Sequence, residues 1–301
     1  MTNPILAFSG RRRMRSVRTP VLLTLYALLL AVTAYFAVYA PFLGRTVTLS
    51  RMRASVDGYA LLLMLQFVLL VLVAPAMTAG SISGERERQT LDLLLVTNTG
   101  VGSMVVGKLL ESFGFLALLV LCSLPMLSLV LLTGGATIAQ VLVGVAFLLL
   151  VALAALSVGL FCSTLFKRTV TATVVSYLAV FGIGVLTLLP IFYDVKRIGD
   201  IYDSINIAGK TLTTIQYTPI SFTLNPGLGL FSLVRAQTGM FDTVLWSVSY
   251  TLANTINLLP FEHYLACNMI FMGCASLALT GLSALNMRMK KGGVPKGSGK
   301  A

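Results

Sequence analysis

The longest stretch without a charged side chain, residues 112–166, constrains the fold more than any other feature. It runs for 55 residues and as a single helix would be roughly 80 Å long. A hydrocarbon core about 30 Å thick is crossed by about 20 apolar residues. Gly134 and Gly135 lie near the middle and supply a turn. The stretch therefore predicts two consecutive membrane spans, at residues 109–132 and 138–166.

Four more apolar runs are long enough to cross a bilayer. They predict spans at residues 21–40, 59–77, 170–193 and 264–285. The composition agrees, because only 11% of residues are charged and the mean hydropathy is +0.91, whereas a soluble domain carries about a quarter charged residues. We therefore expect an all-α integral membrane protein, built as a six-transmembrane-helix bundle.

The charge distribution predicts which way the bundle faces. With six spans and the N-terminus inside, fifteen of the 22 Lys and Arg residues fall on the cytoplasmic side, as the positive-inside rule requires. Both termini are then cytoplasmic, and the chain divides into a basic segment 1–20, a transmembrane domain 21–286 and a basic tail 287–301. Arg45, Arg51 and Arg53, in the first outer loop, run against this trend.

Two segments have more than one interpretation. Segment 1–20 is either a short helix lying on an anionic inner leaflet or a disordered basic tail. The long outer segment 194–262 contains Pro219 and Pro226, which disfavour a lipid-exposed helix, followed by an apolar stretch with Trp246. The sequence leaves open whether residues 205–261 are external, re-entrant or partly spanning.

The spans offer little chemistry of their own. The sequence has no GxSxG or HExxH motif and a single histidine, His263, so neither a hydrolase nor a metal site is indicated. "SINIAGKT", residues 204–211, lacks the first glycine of a phosphate loop. Glu111 follows Lys108 by three residues, and we expect these two to pair where the third span enters the membrane. We expect no directly bound cofactor and no nucleic acid partner.

Two spans carry small residues at four-residue spacing. Such faces let helices approach closely. The candidate packing positions are Ala155, Gly159 and Ser163 in the fourth span, and Ser276, Thr280 and Ala284 in the sixth. Gln66, deep in the second span, is expected to form a hydrogen bond to another helix.

A compact charged block, Glu85 to Arg88, follows the second span. Ser81 or Ser83 is a suitable helix N-cap, and the glutamates would then fall in the first turn. Arg88 and Asp92 are four residues apart and suit an ion pair. Residues 81–97 therefore predict a short amphipathic helix on the inner face, although a solvated loop is the alternative.

The segment "ISGERERQTLDLLLVTNTGVGSMVVGKLL", residues 82–110, resembles the corresponding part of the permease subunits of ABC-2 type exporters. Those subunits typically read "GERERGTLELLL…GK" at this point. Gln89 stands where glycine is common, and "TNTG" replaces a common "TTP". The resemblance implies a cytoplasmic coupling helix, residues 81–97, that docks on a separate ATP-binding subunit. By position, the docking residues are Glu85, Arg86, Glu87, Arg88 and Asp92, with Lys108 nearby.

The same resemblance implies the partners. Two ATP-binding subunits carry ATP and Mg²⁺, and a second permease chain, identical or paralogous, completes the pathway in the plasma (inner) membrane of a bacterium. The chain is then a transport subunit and not an enzyme. The alternative is a membrane scaffold or assembly factor that docks a cytosolic protein through the same charged helix. Spans this poor in ionisable groups disfavour an ion-coupled carrier.

Overall fold

The computed structural model describes residues 18–40, 49–90, 100–189, 224–238 and 261–292. These residues are almost entirely helical, and no strand occurs among them. In chain order the helices are α1 (Arg18–Ala34, continued by a π-helical turn Tyr35–Tyr39), α2 (Leu49–Glu87), α3 (Val101–Cys122), α4 (Leu124–Leu132), α5 (Ile138–Leu165), α6 (Thr169–Leu186), α7 (Pro226–Thr238) and α8 (Phe261–Gly292).

Six segments of the described chain are long and apolar enough to cross a membrane, which confirms the predicted number of spans. They are Pro20–Tyr39, Ser55–Glu87, Val101–Leu132, Ile138–Leu165, Thr169–Leu186 and Leu265–Met289. The last helix continues past residue 286, where the basic tail was predicted to begin, and Met287 is fully buried. The predicted N-terminal interfacial helix lies outside the described residues.

The core is formed around α5, the most buried of the six spans. Helices α2, α3, α6 and α8 all pack against it. α2 and α5 run parallel, because Tyr59 meets Gln140 at one end and Ser83 meets Ser163 at the other. Large side chains fill the space between them: Leu62, Leu63, Leu70, Phe147, Leu148 and Leu156.

The bundle has two chemically different ends. We call the end that holds Glu85, Lys108, Arg168 and Arg288 the charged end. We call the other, which holds Tyr59 and Gln140, the opposite end. α2 and α5 run from the opposite end to the charged end, and α3 returns.

Small residues let α2 and α5 approach closely near the charged end. A Cβ placed on Gly159 would overlap the Thr78 side chain and contact the Pro75 backbone. One turn later the Ser163 hydroxyl oxygen accepts hydrogen bonds from the backbone N–H groups of Ile82 and Ser83, at 3.0 and 2.9 Å. Gly159 and Ser163, two of the predicted small residues of the fourth span, therefore lie against α2.

The predicted small polar residues of α8 form hydrogen bonds within their own helix. The hydroxyls of Ser276 and Thr280 donate to carbonyls of their own helix, and Ala284 packs against the core. Gln66 is fully buried, but neither atom of its amide has a hydrogen-bond partner within the described part of the chain. The predicted interhelical hydrogen bond of Gln66 is therefore absent among these residues.

Pro75 interrupts the hydrogen-bond ladder of α2, because it cannot donate to the carbonyl of Val71. The Leu72 carbonyl beside this break accepts a hydrogen bond of 2.6 Å from the Tyr177 hydroxyl on α6. Polar backbone groups inside hydrocarbon must find protein partners. This hydrogen bond supplies a protein partner for the Leu72 carbonyl and fixes α6 against α2.

α7 belongs to the outer segment whose location the sequence left open. With 13 residues it is about 20 Å long, too short to cross the hydrocarbon core. Its C-terminal Gln237 exchanges hydrogen bonds with Gln140 and accepts one from the Tyr59 hydroxyl. At its other half, Gly229 lies directly against Asn268 of α8. α7 is therefore packed onto the bundle at the opposite end.

The close contact between α2 and α5 generates a stability prediction. Gly159→Val is expected to destabilise the protein by about 1–3 kcal/mol, because the added side chain overlaps Thr78 and Pro75. The measurement is the thermal unfolding temperature of the purified protein in detergent. Gly114→Val is the control, since a Cβ at Gly114 meets no atom within 4 Å. Equal unfolding temperatures for both variants would contradict this packing.

Candidate functional site

The charged block forms the last turn of α2, which ends at Glu87. The prediction of a helix start at Ser81 or Ser83 is wrong, because α2 continues through both residues and the Ser83 hydroxyl donates to the Ala79 carbonyl. Glu85 and Glu87 therefore lie at the C-terminal end of a helix. There the helix dipole disfavours carboxylates, so these side chains depend on partners from other elements.

Glu85 pairs with a lysine on the next helix. Its Oε1 atom lies 2.6 Å from the Nζ atom of Lys108 in α3, and both side chains are about one-fifth exposed, at 20% and 21%. The prediction placed Lys108 beside Glu111 within α3. The structure adds a contact between two helices, because Glu85 and Lys108 are 23 residues apart in sequence. A partly buried pair of this kind is screened less by salt than a surface pair, so it fixes the end of α2 to the start of α3.

Arg86 points into the bundle and caps another helix. Its guanidinium donates to the carbonyls of Phe166, at 3.0 Å, and Thr164, at 3.4 Å, and approaches the Met287 sulfur. Helix α5 ends at Leu165, so these carbonyls belong to a terminus that lacks intrahelical donors. The helix dipole also favours a cation at a helix C-terminus. Arg86 therefore links α2, α5 and α8.

Glu87 contacts the beginning of α6. Its Oε2 atom accepts a hydrogen bond of 2.7 Å from the Thr169 hydroxyl. Gly84 lies beside the same residue, since a Cβ there would be 3.3 Å from the Thr169 methyl. Glu85, Arg86 and Glu87 thus bind three different parts of the bundle. We call this set of contacts the clamp.

The chain leaves α2 through a tight C-cap. The N–H of Thr90 donates to the Glu85 carbonyl at 3.0 Å, and the N–H of Gln89 to the Arg86 carbonyl at 3.1 Å. This pair of bonds defines a Schellman motif, which needs a left-handed residue at its C′ position. Gln89 occupies that position with φ = 56°, and it is the only non-glycine residue with a positive φ in the described chain.

The exposed part of the block is small. Glu87, Arg88, Gln89 and Thr90 are exposed, whereas Glu85 and Arg86 are half-buried and turn into the bundle. Asp92 and its predicted pairing with Arg88 lie outside the described residues, as does the rest of the predicted helix after Thr90. Lys167, Arg168 and Arg288 are also exposed at the charged end. All three belong to the fifteen cations that the positive-inside rule assigns to the cytoplasmic side.

No group of three or more His, Cys, Asp or Glu side chains that would hold a metal ion occurs among the residues that the structure describes. At the charged end the described residues expose Glu87 and the cations Arg88, Lys167, Arg168 and Arg288.

Comparison with known families decides the identity. Residues 8–227, most of the chain, match a protein family whose description is "ABC-2 family transporter protein". The chain belongs to the ABC-2 transporter family. It is thus a multi-pass membrane permease component of an ABC transporter, and the resemblance of residues 82–110 is confirmed. No curated protein sequence matches it significantly.

The C-cap geometry shows what one departure of this ABC-2 permease from the usual motif costs. Glycine is common where Gln89 stands, and glycine adopts a positive φ without the steric cost that a side chain brings. The charge pattern of the motif is retained, while the backbone conformation is reached at some cost in stability.

This geometry predicts opposite effects at two adjacent exposed positions. Gln89→Gly should stabilise the protein by about 1 kcal/mol, because it relieves the left-handed conformation. Arg88→Gly is the matched control and should lower stability. Arg88 has no positive φ, so glycine there relieves no strain and only raises the conformational entropy of the unfolded chain. Thermal unfolding in detergent measures both. A Gln89→Gly variant less stable than Arg88→Gly would rule out this C-cap.

Proposed function

We propose that this chain is the transmembrane permease subunit of an ABC-2 type exporter. It forms the substrate pathway as a dimer and is coupled to a separate ATP-binding subunit at the charged end. The observation that carries the proposal is the C-cap of α2, which holds the exposed residues Arg88, Gln89 and Thr90 on a helix end fixed by three contacts. A rigid protruding turn suits transmission of force from a partner.

The clamp gives this surface a mechanical connection to the spans. A displacement of the Arg88 turn moves Glu85, Arg86 and Glu87, and with them α3, the end of α5 and the start of α6. Rigid-body shifts of packed helices are a common route for such conformational changes. In this proposal the partner's closure shifts these helices together and switches the pathway between inward- and outward-facing states.

The energy source and the orientation follow from the same proposal. ATP and Mg²⁺ bind to the partner, because the spans carry few ionisable groups that would couple transport to an ion gradient. The exposed cations Arg88, Lys167, Arg168 and Arg288 favour a cytoplasmic location for the charged end. Both termini are then cytoplasmic, in the plasma (inner) membrane of a bacterium.

The assembly in this proposal contains four subunits. Six spans supply half of a pathway, so a second permease chain, identical or paralogous, pairs with this one. Each permease binds one copy of the ATP-binding subunit. The scaffold alternative shares the docking surface but predicts no effect of the permease on ATP hydrolysis.

Charge reversal at the exposed turn tests the docking surface. Arg88→Glu is expected to weaken association with the ATP-binding subunit about tenfold or more, since like charges in an interface are strongly unfavourable. The measurements are co-purification and the ATPase rate of the complex. Asp57→Lys, an exposed charge reversal at the opposite end, is the control. Unchanged association and ATPase rate in Arg88→Glu would show that the turn is not the docking surface.

A second variant tests the clamp separately from docking. Thr169→Val removes the hydroxyl that donates to Glu87, so we expect normal association but an ATPase rate of the complex reduced about threefold. Thr173→Val is the matched control one turn along, because its hydroxyl donates only to the Thr169 carbonyl of its own helix. Equal ATPase rates for the two variants would mean that the contact transmits nothing. A permease without influence on ATP hydrolysis in any variant favours the scaffold.

A further inference from the structure

A cavity of about 550 Å³ lies on one side of α5, between α6 and α8. Its back wall is formed by α5 from Val151 to Val158, together with Phe67 and Val71 of α2. One side is formed by residues from Val180 to Leu188, in the last turns of α6 and just after it. The other side is formed by residues from Phe271 to Leu279 of α8. The volume falls within the usual range of ligand pockets, about 300–1,000 Å³.

The start of α7 closes the cavity toward the opposite end. The Asn225 side-chain amide donates to the Gly184 carbonyl, at 2.9 Å, and to the Thr187 hydroxyl, at 2.8 Å. The Asn268 amide of α8 donates in turn to the Asn225 carbonyl at 3.0 Å. Asn225 therefore bridges α6 and α8. The cavity extends from this bridge toward the charged end.

The wall has almost no polar group free to recognise a ligand. The hydroxyls of Ser157 and Ser276 donate to Ala154 and Gly273 of their own helices. Asn225 uses its amide for the bridge and its Oδ1 atom to accept from the N–H groups of Gly227 and Leu228. A hydrated polar ligand would lose its water without replacement hydrogen bonds. The lining therefore favours a hydrocarbon ligand over a polar one.

The position of the cavity points to the same occupant. Gly184 is 15 residues from the start of α6, about 22 Å from the charged end, and so lies inside a core about 30 Å thick. The flanking faces of α6 and α8 expose large apolar side chains, such as Leu178 at 67% and Leu277 at 73%. The space between these two helices is therefore surrounded by lipid chains.

We propose that this cavity binds a long hydrocarbon chain of a membrane lipid, which enters between α6 and α8. It lies within a single permease chain, so it is distinct from a pathway formed between two copies. Binding there requires neither the ATP-binding partner nor the dimer, and the inference stands independently of both.

Two glycines of α6 give a matched pair of variants. A Cβ on Gly184 meets no atom within 4 Å, and Gly184 lines the cavity. Gly184→Phe therefore places a large apolar ring in the cavity while its backbone carbonyl still accepts from Asn225. A Cβ on Gly182 also meets no atom, but Gly182 is not part of the lining. Gly182→Phe is the control, and Ala275→Phe, on the facing wall, is the second blocking variant.

The assay is photo-crosslinking of the full chain in nanodiscs with a phosphatidylcholine that carries a diazirine at the end of one acyl chain. We expect labels on Ala155 and Met272, which line the cavity and are only 7% and 3% exposed, so that lipid outside the protein does not reach them. Blocking with Gly184→Phe or Ala275→Phe should reduce these labels about fivefold, and Gly182→Phe should not. The same lipid with its diazirine in the headgroup should leave both residues unlabelled.

Three results would overturn the proposal. The first is absence of label on Ala155 and Met272 in the unmodified protein. The second is equal labelling in Gly184→Phe, Ala275→Phe and Gly182→Phe. The third is a crosslink from a photoreactive amino acid introduced at Ala155 to residues 190–223 or 239–260, which would show that the chain fills the cavity itself.

Discussion

The parallel contact between α2 and α5 is the interaction on which the rest of the structure depends. Inside hydrocarbon no solvent drives two apolar helices together, so their association depends on close packing and on hydrogen bonds. Gly159 removes the side chain that would separate them, and the Ser163 hydroxyl accepts from two backbone N–H groups of α2. Just beyond this contact Arg86 of α2 reaches the carbonyls at the end of α5, and α5 also supplies the back wall of the cavity.

The same constraint explains how the polar side chains in the bundle are used. A polar group in the bilayer interior needs a protein partner, and here hydroxyls and amides connect neighbouring helices. The Tyr177 hydroxyl donates a hydrogen bond to the Leu72 carbonyl near Pro75, and Asn225 bridges α6 and α8. These contacts hold α6 and α8 to the bundle, although both helices bury little of their surface. They keep the two walls of the cavity at a fixed separation near its closed end.

The charged block combines two roles that its sequence does not separate. Glu85 and Arg86 turn inward, to Lys108 and to the carbonyls at the end of α5, while Arg88 and Gln89 remain exposed on the C-cap. A mixture of acids and bases is needed for this arrangement, because acids at a helix C-terminus require cations from elsewhere. This arrangement accounts for the near-neutral composition of the block.

The sequence by itself determined the all-α class, the six spans and the family, because apolar length and a contiguous motif are local properties. Only the tertiary structure decided that α2 continues through Ser83 to a left-handed Gln89, that Lys108 pairs with Glu85 and that Arg86 caps α5. The physical reason is that each of these outcomes depends on groups brought together from separate helices or on the backbone bonds of one turn. Residue order does not encode such distances.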